Sequence, residues 1–455
     1  MCALLKKPFL MVVLFSVFAL AGCGSLLKTE YQAPNLPVAM DWQAMAPVDS
    51  LPARDWWSVF TDAELNMLVG RVLASNGDLA AAGIRLNQAR LSSELADKQL
   101  FPSVSASIGS SGNRSLENDR GWSRTSSASL GVSWEVDLFG RLQSERDASR
   151  WEALASAEDL EATRLSLIAM TVRAYWQLAY ANDQIRIGEL SILYTEQALE
   201  LVRLQYAAGS VSLLDLREAE QSLAAQRATQ TRLVQARVEA RNALAVLLGQ
   251  QLYDGPEPET LASMMVPALA AGLPAELISR RPDLKGDELR LRSLLASVDA
   301  TRASFYPNFR LTGDLGAGSN ELFDFLSNPI AYLSGTLAAP LLNFDRIALN
   351  VDISKAQYEA ATATFRQTFY QAISEVENAL SARIQYAAEA EFLEASYAAA
   401  REAESLYERQ YRAGAIPIRQ WLDAQQRRRN AENAVLGNIF NRLDTEVTLY
   451  QALGG

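Results

Sequence analysis

Gln205-Tyr206-Ala207-Ala208-Gly209 returns, 205 residues further on, as Gln410-Tyr411-Arg412-Ala413-Gly414. At the same offset Phe101-Pro102 returns as Tyr306-Pro307, and Phe139 with Arg141 returns as Phe344 with Arg346. No net insertion or deletion separates these landmarks, so the chain is two copies of one structural unit. A tandem unit usually cannot bury its apolar face alone and gains stability against a neighbour. The period is far longer than that of an ordinary solenoid, which points to duplication of a whole domain half.

Each Ala-Gly pair closes an unusually long helical stretch. From Asp345 to Ala413 there is neither Gly nor Pro, and Phe365, Phe369, Ile373, Val376 and Leu380 step by three or four. A continuous helix there would reach roughly 100 Å. Its counterpart, Arg141 to Ala207, has one Gly and a seam of Leu165, Ile168, Val172, Tyr175 and Ala179. Sustained spacings of three and four indicate coiled-coil-like packing. Gly209 and Gly414 are expected to cap these helices. A shorter helix returns each time, over 213–248 and 418–453.

Upstream of each long helix the period changes to two. Val104, Ala106 and Ile108 alternate with serines, and Ala128, Leu130, Val132, Trp134 and Val136 alternate with Ser129, Gly131, Ser133 and Glu135. The second copy sets Phe309, Leu311 and Leu315 against Arg310, Thr312 and Asp314, then Leu333, Leu337 and Leu341 against Ser334, Thr336 and Ala338. These are strands with one apolar and one polar face. Hairpins are expected over 102–138 and 307–343, with long loops at Gly112–Arg124 and Gly316–Pro329. Membrane strands need about 9 to 11 residues of such alternation. Short alternating runs also suit a soluble hairpin packed on helices. Residues 62–100 read as helices, with Leu65, Leu68, Val72 and Leu79 on one face, a break at Asn76-Gly77-Asp78 and a stop at Pro102.

At the N-terminus Lys6 and Lys7 precede an apolar run, Phe9 to Leu20, that is too short to span a bilayer. It ends in Leu20-Ala21-Gly22-Cys23, which resembles the lipobox of bacterial lipoproteins. The resemblance implies a signal peptide over 1–22, a lipid-modified Cys23, and a mature protein outside the cytoplasm. Gly24, where inner-membrane retention would favour Asp, fits an outer-membrane address. Residues 24–55 hold Pro34, Pro37, Pro47 and Pro52 without a sustained period, so 23–61 is expected to be an extended, lipid-anchored segment.

Composition narrows the chemistry. Cys23 is the one cysteine left after such processing, so no disulfide can form within the mature chain. Histidine is absent, which removes the common imidazole base and the common zinc ligand. There is no GxxxxGK[ST] phosphate loop, so energy must come from a partner. The net charge of −11 becomes −13 on processing and disfavours nucleic acid as a partner. Neither an enzyme nor a resident cofactor or metal is expected.

Four amphipathic strands cannot close a barrel alone, because membrane strands leave no unpaired edge and closed barrels start at about eight. Closure must come from several chains, with the helices extending the barrel as a wall of pairs. The fold class expected is therefore mixed and mainly α. The first unit occupies 62–255, with its long helix at 141–207, and the second occupies 256–455, with its long helix at 345–413.

Trp56-Trp57, Phe60, Asp62, Leu65, then Asn76, Asp78-Leu79, Arg85 and Gln88-Ala89-Arg90 resemble the opening signature of the outer-membrane efflux channels of the TolC, OprM and NodT type. Phe101-Pro102, the run Trp134 to Gly140, Arg280-Arg281-Pro282-Asp283-Leu284 and Tyr306-Pro307 are similar to further landmarks of that family. The resemblance covers nearly the whole mature chain. It implies a homotrimer with a 12-stranded outer-membrane β-barrel and a 12-helix periplasmic tunnel. It also implies a periplasmic adaptor, an inner-membrane pump, and a passive export duct for small molecules gated at its periplasmic tip. By that likeness Asp423 matches the constriction acid and Tyr411 the latch tyrosine. Gln420 stands where some members carry a second acid, and Arg419 where others carry an apolar plug. Asp215 aligns with Gln420 and Glu218 with Asp423, so the turns at Gly209 and Gly414 are read as tip hairpins, the first sharing in adaptor contact. Arg419 and Asp423 are also four apart on one helix, which suits a simple surface pair. Arg280-Arg281-Pro282-Asp283 reads as a helix start. A lipid-anchored periplasmic coiled-coil scaffold is the alternative function, and the strands discriminate against it.

Overall fold

The computed structural model describes residues 28–36, 55–114, 122–261, 277–319, 329–339 and 343–455. The expected signal peptide, Cys23 and the centres of both hairpin loops lie outside these residues. Helices α1 (Ala63–Ser75) and α2 (Gly77–Lys98) lead into strands β1 (Ser103–Asn113) and β2 (Ser123–Val136), then α3 (Arg141–Ala207) and α4 (Leu213–Leu247). The second repeat follows with α5 (Leu277–Arg280), α6 (Pro282–Ala303), β3 (Asn308–Ser319), β4 (Pro329–Ala338), α7 (Phe344–Arg412) and α8 (Ile418–Ala452). Two compact units emerge, one drawing on Met1–Leu36, Ile84–Glu158 and Lys285–Gln367, the other on Pro37–Gly83, Asp159–Leu284 and Thr368–Gly455. Neither unit is a single repeat, since each takes equivalent stretches from both copies.

In the first unit the four strands form one antiparallel sheet in the order β1-β2-β3-β4. The register decides the chemistry of its faces. Val104 lies opposite Val132, Ala106 opposite Leu130, Leu130 opposite Leu315, Trp134 opposite Leu311, and Phe309 opposite Leu337. One face is therefore apolar across all four strands, and Val104, Ile108, Leu130, Leu315, Leu333 and Leu337 on it are exposed in the single chain. The other face is hydroxyl-rich, with Ser107 and Ser129 bonded at 2.8 Å and Glu135 opposite Arg310. Gly131 leaves room on this face for the Asp314 carboxylate, which a Cβ there would approach to 2.7 Å and force to shift. A continuous exposed apolar sheet face suits lipid contact. Where the sheet hands over to helix, Arg141 reaches Glu135 at 2.6 Å and Glu145 at 2.7 Å.

In the second unit Asp62 caps α1 by accepting from the amides of Glu64 and Leu65, and Leu65, Leu68, Val69 and Val72 are buried. Asn76 both ends α1 and starts α2: its Oδ1 accepts from Asp78 and Leu79, and its Nδ2 donates to the Leu247 carbonyl. Ile168, Val172, Tyr175 and Ala179 of the α3 seam are buried, as are Phe369, Val376 and Leu380 on α7. The core centres on Trp56, which stacks on Tyr450 at 4.8 Å while Phe60 sets its edge against Trp176 at 4.7 Å. This corrects the expected extended segment over 23–61. Residues 28–36 have no regular structure, but Trp56–Phe60 turns as a 3-10 helix because Trp56 and Phe60 are drawn into the core. At the start of α6, Arg281 forks onto Asp283 and also reaches Glu375 at 2.7 Å. Asp283 is held below the usual carboxylate range because these bonds outweigh its burial.

Glu446 on α8 is fully buried, with Arg383 Nε 2.8 Å away. Burial raises its pKa from 4.5 to about 7, against the opposing pull of Arg383 and Arg442. The folded chain thus binds a proton here that the unfolded chain releases, so the contribution is full at pH below 4.5 and declines as pH rises through about 7. Glu446→Gln should remove this slope, worth at most about 3 kcal/mol. Thermal melts of both proteins between about pH 5 and 8 check it, and a wild-type curve no steeper than that of the variant would refute it.

Candidate functional site

The two turns after α3 and α7 lie in the second unit and are built by one backbone device. Gly209 and Gly414 take φ of +76° and +75°, a conformation that favours glycine. Ser210 N–H donates to the Gln205 carbonyl and Ala415 N–H to that of Gln410, each at 2.9 Å. These bonds satisfy helix-end carbonyls that would otherwise lack partners.

The starts of α4 and α8 then diverge. Ser212 and Asp215 form a reciprocal capping box on α4, so Asp215 is committed to its own helix end. At the equivalent place α8 has Pro417, with no side-chain cap, and Gln420 donates its amide to the Pro417 carbonyl at 3.3 Å.

Tyr411 is 4% exposed, and its hydroxyl donates to Gln205 Oε1 across the two repeats. Its ring stacks on Trp421 at 5.3 Å, within a cluster that includes Val202, Leu199, Leu223 and Ile418. Burial first, and the Asp215 charge second, raise the Tyr411 pKa, which keeps the hydroxyl a donor. The duplicate residue Tyr206 is 42% exposed, so this lock exists once per chain. Sequence alone marks Gln205 as a repeat landmark and gives neither it nor Trp421 a role at the turns. Their signal is the pairing of the two repeated Gln-Tyr runs, which only the packing resolves.

Arg419 and Asp423 do not pair with each other, contrary to the simplest helix reading. Arg419 extends to Glu218 on α4 at 3.8 Å, and it is 73% exposed. Such a surface pair contributes at most about 1 kcal/mol. Asp423 is exposed, and among the described residues its carboxylate has no ion pair.

Behind these turns a cavity of about 400 Å³ opens between α3, α7 and α8, lined by Tyr194, Arg401, Glu404, Arg412, Trp421 and Arg428 among others. Arg428 clasps Glu404 and bonds Glu432 at 2.7 Å. Beside it Arg429 is 6% exposed, and burial with the neighbouring Arg428 charge pulls its pKa down to about 10. The first unit has its own cavity of about 640 Å³ where sheet meets helix, with Lys98, Glu135, Arg141, Glu145 and Arg310 on its wall. No group of metal-ligating side chains occurs among the described residues. Nothing in either region assembles a nucleophile with a base; each lining sets three cationic side chains against two carboxylates.

The model of the family described as outer membrane efflux protein matches residues 68–250 and 273–455, two segments that are themselves 205 residues apart. The pyoverdine export outer membrane protein OpmQ of Pseudomonas aeruginosa is 31% identical over 96% of this chain and 94% of that protein. The probable outer membrane lipoprotein SilC of Salmonella typhimurium is 27% identical over 97% of each. Among solved structures, the open state of the Neisseria gonorrhoeae MtrE outer membrane channel superposes with a TM-score of 0.86 at 29% identity, covering 94% of this chain and 98% of that one.

Tyr411→Phe should loosen the turns by removing one hydrogen bond, about 0.5–1.5 kcal/mol. Amide exchange would then quicken in the helix ends flanking Gly209 and Gly414 and stay unchanged in β1–β4. Equal exchange in both proteins would deny the bond any part in holding the turns.

Proposed function

The chain belongs to the outer membrane efflux protein family, and from that premise we propose that three copies of it close into one export duct, gated at the turns beside Gly209 and Gly414. It is the outer-membrane component of an efflux system. The coiled-coil scaffold alternative falls with that membership. The open sheet carries the trimer proposal: β1 and β4 have unpaired outer edges, and three such sheets supply twelve strands. The exposed apolar face would then meet lipid and the hydroxyl face would line the bore. The helices that continue from the strands would carry the bore into the periplasm.

Energy and cargo choice belong to other proteins in this reading. A periplasmic adaptor would contact the helix turns, and an inner-membrane pump would load the duct. No helix among the described residues is long and apolar enough to cross a membrane. Pyoverdine export by OpmQ supports small organic molecules as the cargo class.

At the gate, threefold symmetry would bring three Asp423 carboxylates toward one axis, where they attract cations. Tyr411, bonded to Gln205 and stacked on Trp421, would hold each α7–α8 turn inward. Arg419, bound to Glu218, would tie the two turns of one chain together. The existence of an open state of MtrE supports a tip that changes conformation. The purified protein should have three times the chain mass in mild detergent and show small, discrete openings in planar bilayers. Asp423→Ala should raise the single-channel conductance; unchanged conductance would assign Asp423 to the solvated surface.

Cys23 would carry the lipid anchor, a reading supported by the lipoprotein SilC. Labelled palmitate should enter the wild type and not Cys23→Ser. Equal labelling would discard this site.

A further inference from the structure

Ahead of the Trp56 core, Lys28–Tyr31 lies across α3 and α6 in the first unit. Lys28 Nζ donates to Asp147 Oδ2 at 2.7 Å. Thr29 gives Asp299 both its amide, at 2.8 Å, and its hydroxyl, at 2.6 Å. Arg292 sits over the Tyr31 ring at 4.5 Å and over Trp151 at 5.3 Å. Asp147 is 8% exposed and Asp299 5%, so both carboxylates are buried beneath this segment. Buried carboxylates destabilise a fold unless they are fully bonded. Among the described residues, the helices offer them only Arg146 and Arg302, and the N-terminal segment supplies the remaining bonds. Burial works against ionisation of Asp147, yet the bonds from Lys28 and Arg146 prevail and hold it below the usual carboxylate range.

The duplication provides an internal control. At an offset of 205 residues, Asp147 corresponds to Asp352 and Asp299 to Glu94, and both counterparts are exposed. The arginines and the aromatic are lost: Arg146 becomes Val351, Trp151 becomes Ala356, Arg292 becomes Asn87 and Arg302 becomes Asp97. Strand order makes this difference count. α3 follows β2 and α6 precedes β3, so the α3/α6 junction accompanies the β2–β3 pairing inside one chain. The corresponding junction between α7 of one chain and α2 of the next would accompany closure of β4 onto a neighbouring β1.

We propose that Lys28–Tyr31 is an assembly clamp: it binds the paired carboxylates Asp147 and Asp299 and closes the junction between repeats within each chain before three chains join. The occupant of the α3/α6 groove is the chain's own basic, hydroxyl-bearing segment, and the duplicate surface cannot take it. The two otherwise similar junctions of a closed ring thereby differ, six in all, clamped and unclamped in alternation. This rests on the trimeric duct reading. Lys28 is five positions after Cys23, so a lipid on Cys23 would be held within about 18 Å of the groove.

The test uses the full-length protein in mild detergent and compares Asp147→Asn/Asp299→Asn and Lys28→Ala/Thr29→Ala with the control Glu94→Gln/Asp352→Asn. Lys28 is 59% exposed at its side chain, so the second variant leaves no hole in the core. The trimer-to-monomer ratio should fall about tenfold in both clamp variants and hold in the control, as loss of charge-assisted bonds implies. Trypsin should cut after Lys28 about tenfold faster in Asp147→Asn/Asp299→Asn than in wild type. Faster cutting with an undiminished trimer would overturn the assembly role, and an unchanged ratio in Lys28→Ala/Thr29→Ala would overturn it whether or not the aspartate variant folds. A wild type that never forms trimers would instead defeat the duct reading beneath it.

Discussion

Backbone amides and carbonyls in a bilayer have no water to turn to, and each unpaired group costs several kcal/mol there. This constraint governs the whole chain. The β1-β2-β3-β4 sheet presents an apolar face fit for lipid, yet leaves the outer edges of β1 and β4 without partners. A single copy is therefore an incomplete object, and its duplicated sequence is one third of a rotational plan. Each repeat contributes the same helix, hairpin, long helix and return helix, so one local solution to strand pairing serves several times around a ring.

Much of this is legible in the sequence. Period-two alternation at Val104–Ile108 and Ala128–Val136 is a property of neighbours in sequence, and so are the helix seams and the glycine caps at Gly209 and Gly414. The bounds of α7 lie within one residue of the run from Asp345 to Ala413 that lacks both Gly and Pro, because nothing inside it breaks a helix. Contacts over long separations were not legible in the same way. Arg419 and Asp423 look like a natural pair at four residues, but the α4–α8 packing places Glu218 within reach of Arg419. Trp56–Phe60 reads as part of a tether by composition and is taken into the core by Tyr450 and Trp176. The partnership of Tyr411 with Gln205 joins residues 206 apart in sequence, and no periodicity predicts it.

Duplication also shows where the two copies ceased to be interchangeable. Backbone geometry at the two turns is nearly superimposable, with glycine φ of +76° and +75°. Side chains then separate their roles. Tyr411 is buried on Trp421, whereas Tyr206 is exposed and faces no such partner, since Leu216 stands at the position of Trp421. A Ser-Asp capping box secures α4, while α8 starts on a proline. The second-copy turn thus relies on tertiary contacts and the first on its own local bonds. An element held mainly by tertiary contacts can shift as a body when those contacts change.

The polar face of the sheet has a consequence for traffic. Serine and threonine hydroxyls spaced along β1–β4 both donate and accept, as water does, and the charged residues at the base of the sheet are already paired with one another. A solute passing such a wall exchanges one set of equivalent hydrogen bonds for another and gains little by lingering. Weak, uniform adhesion means that flux would rise in proportion to load without saturating, and that one cargo would hardly compete with the next. Discrimination is left to whatever fills the pipe, and the pipe itself stays hard to clog.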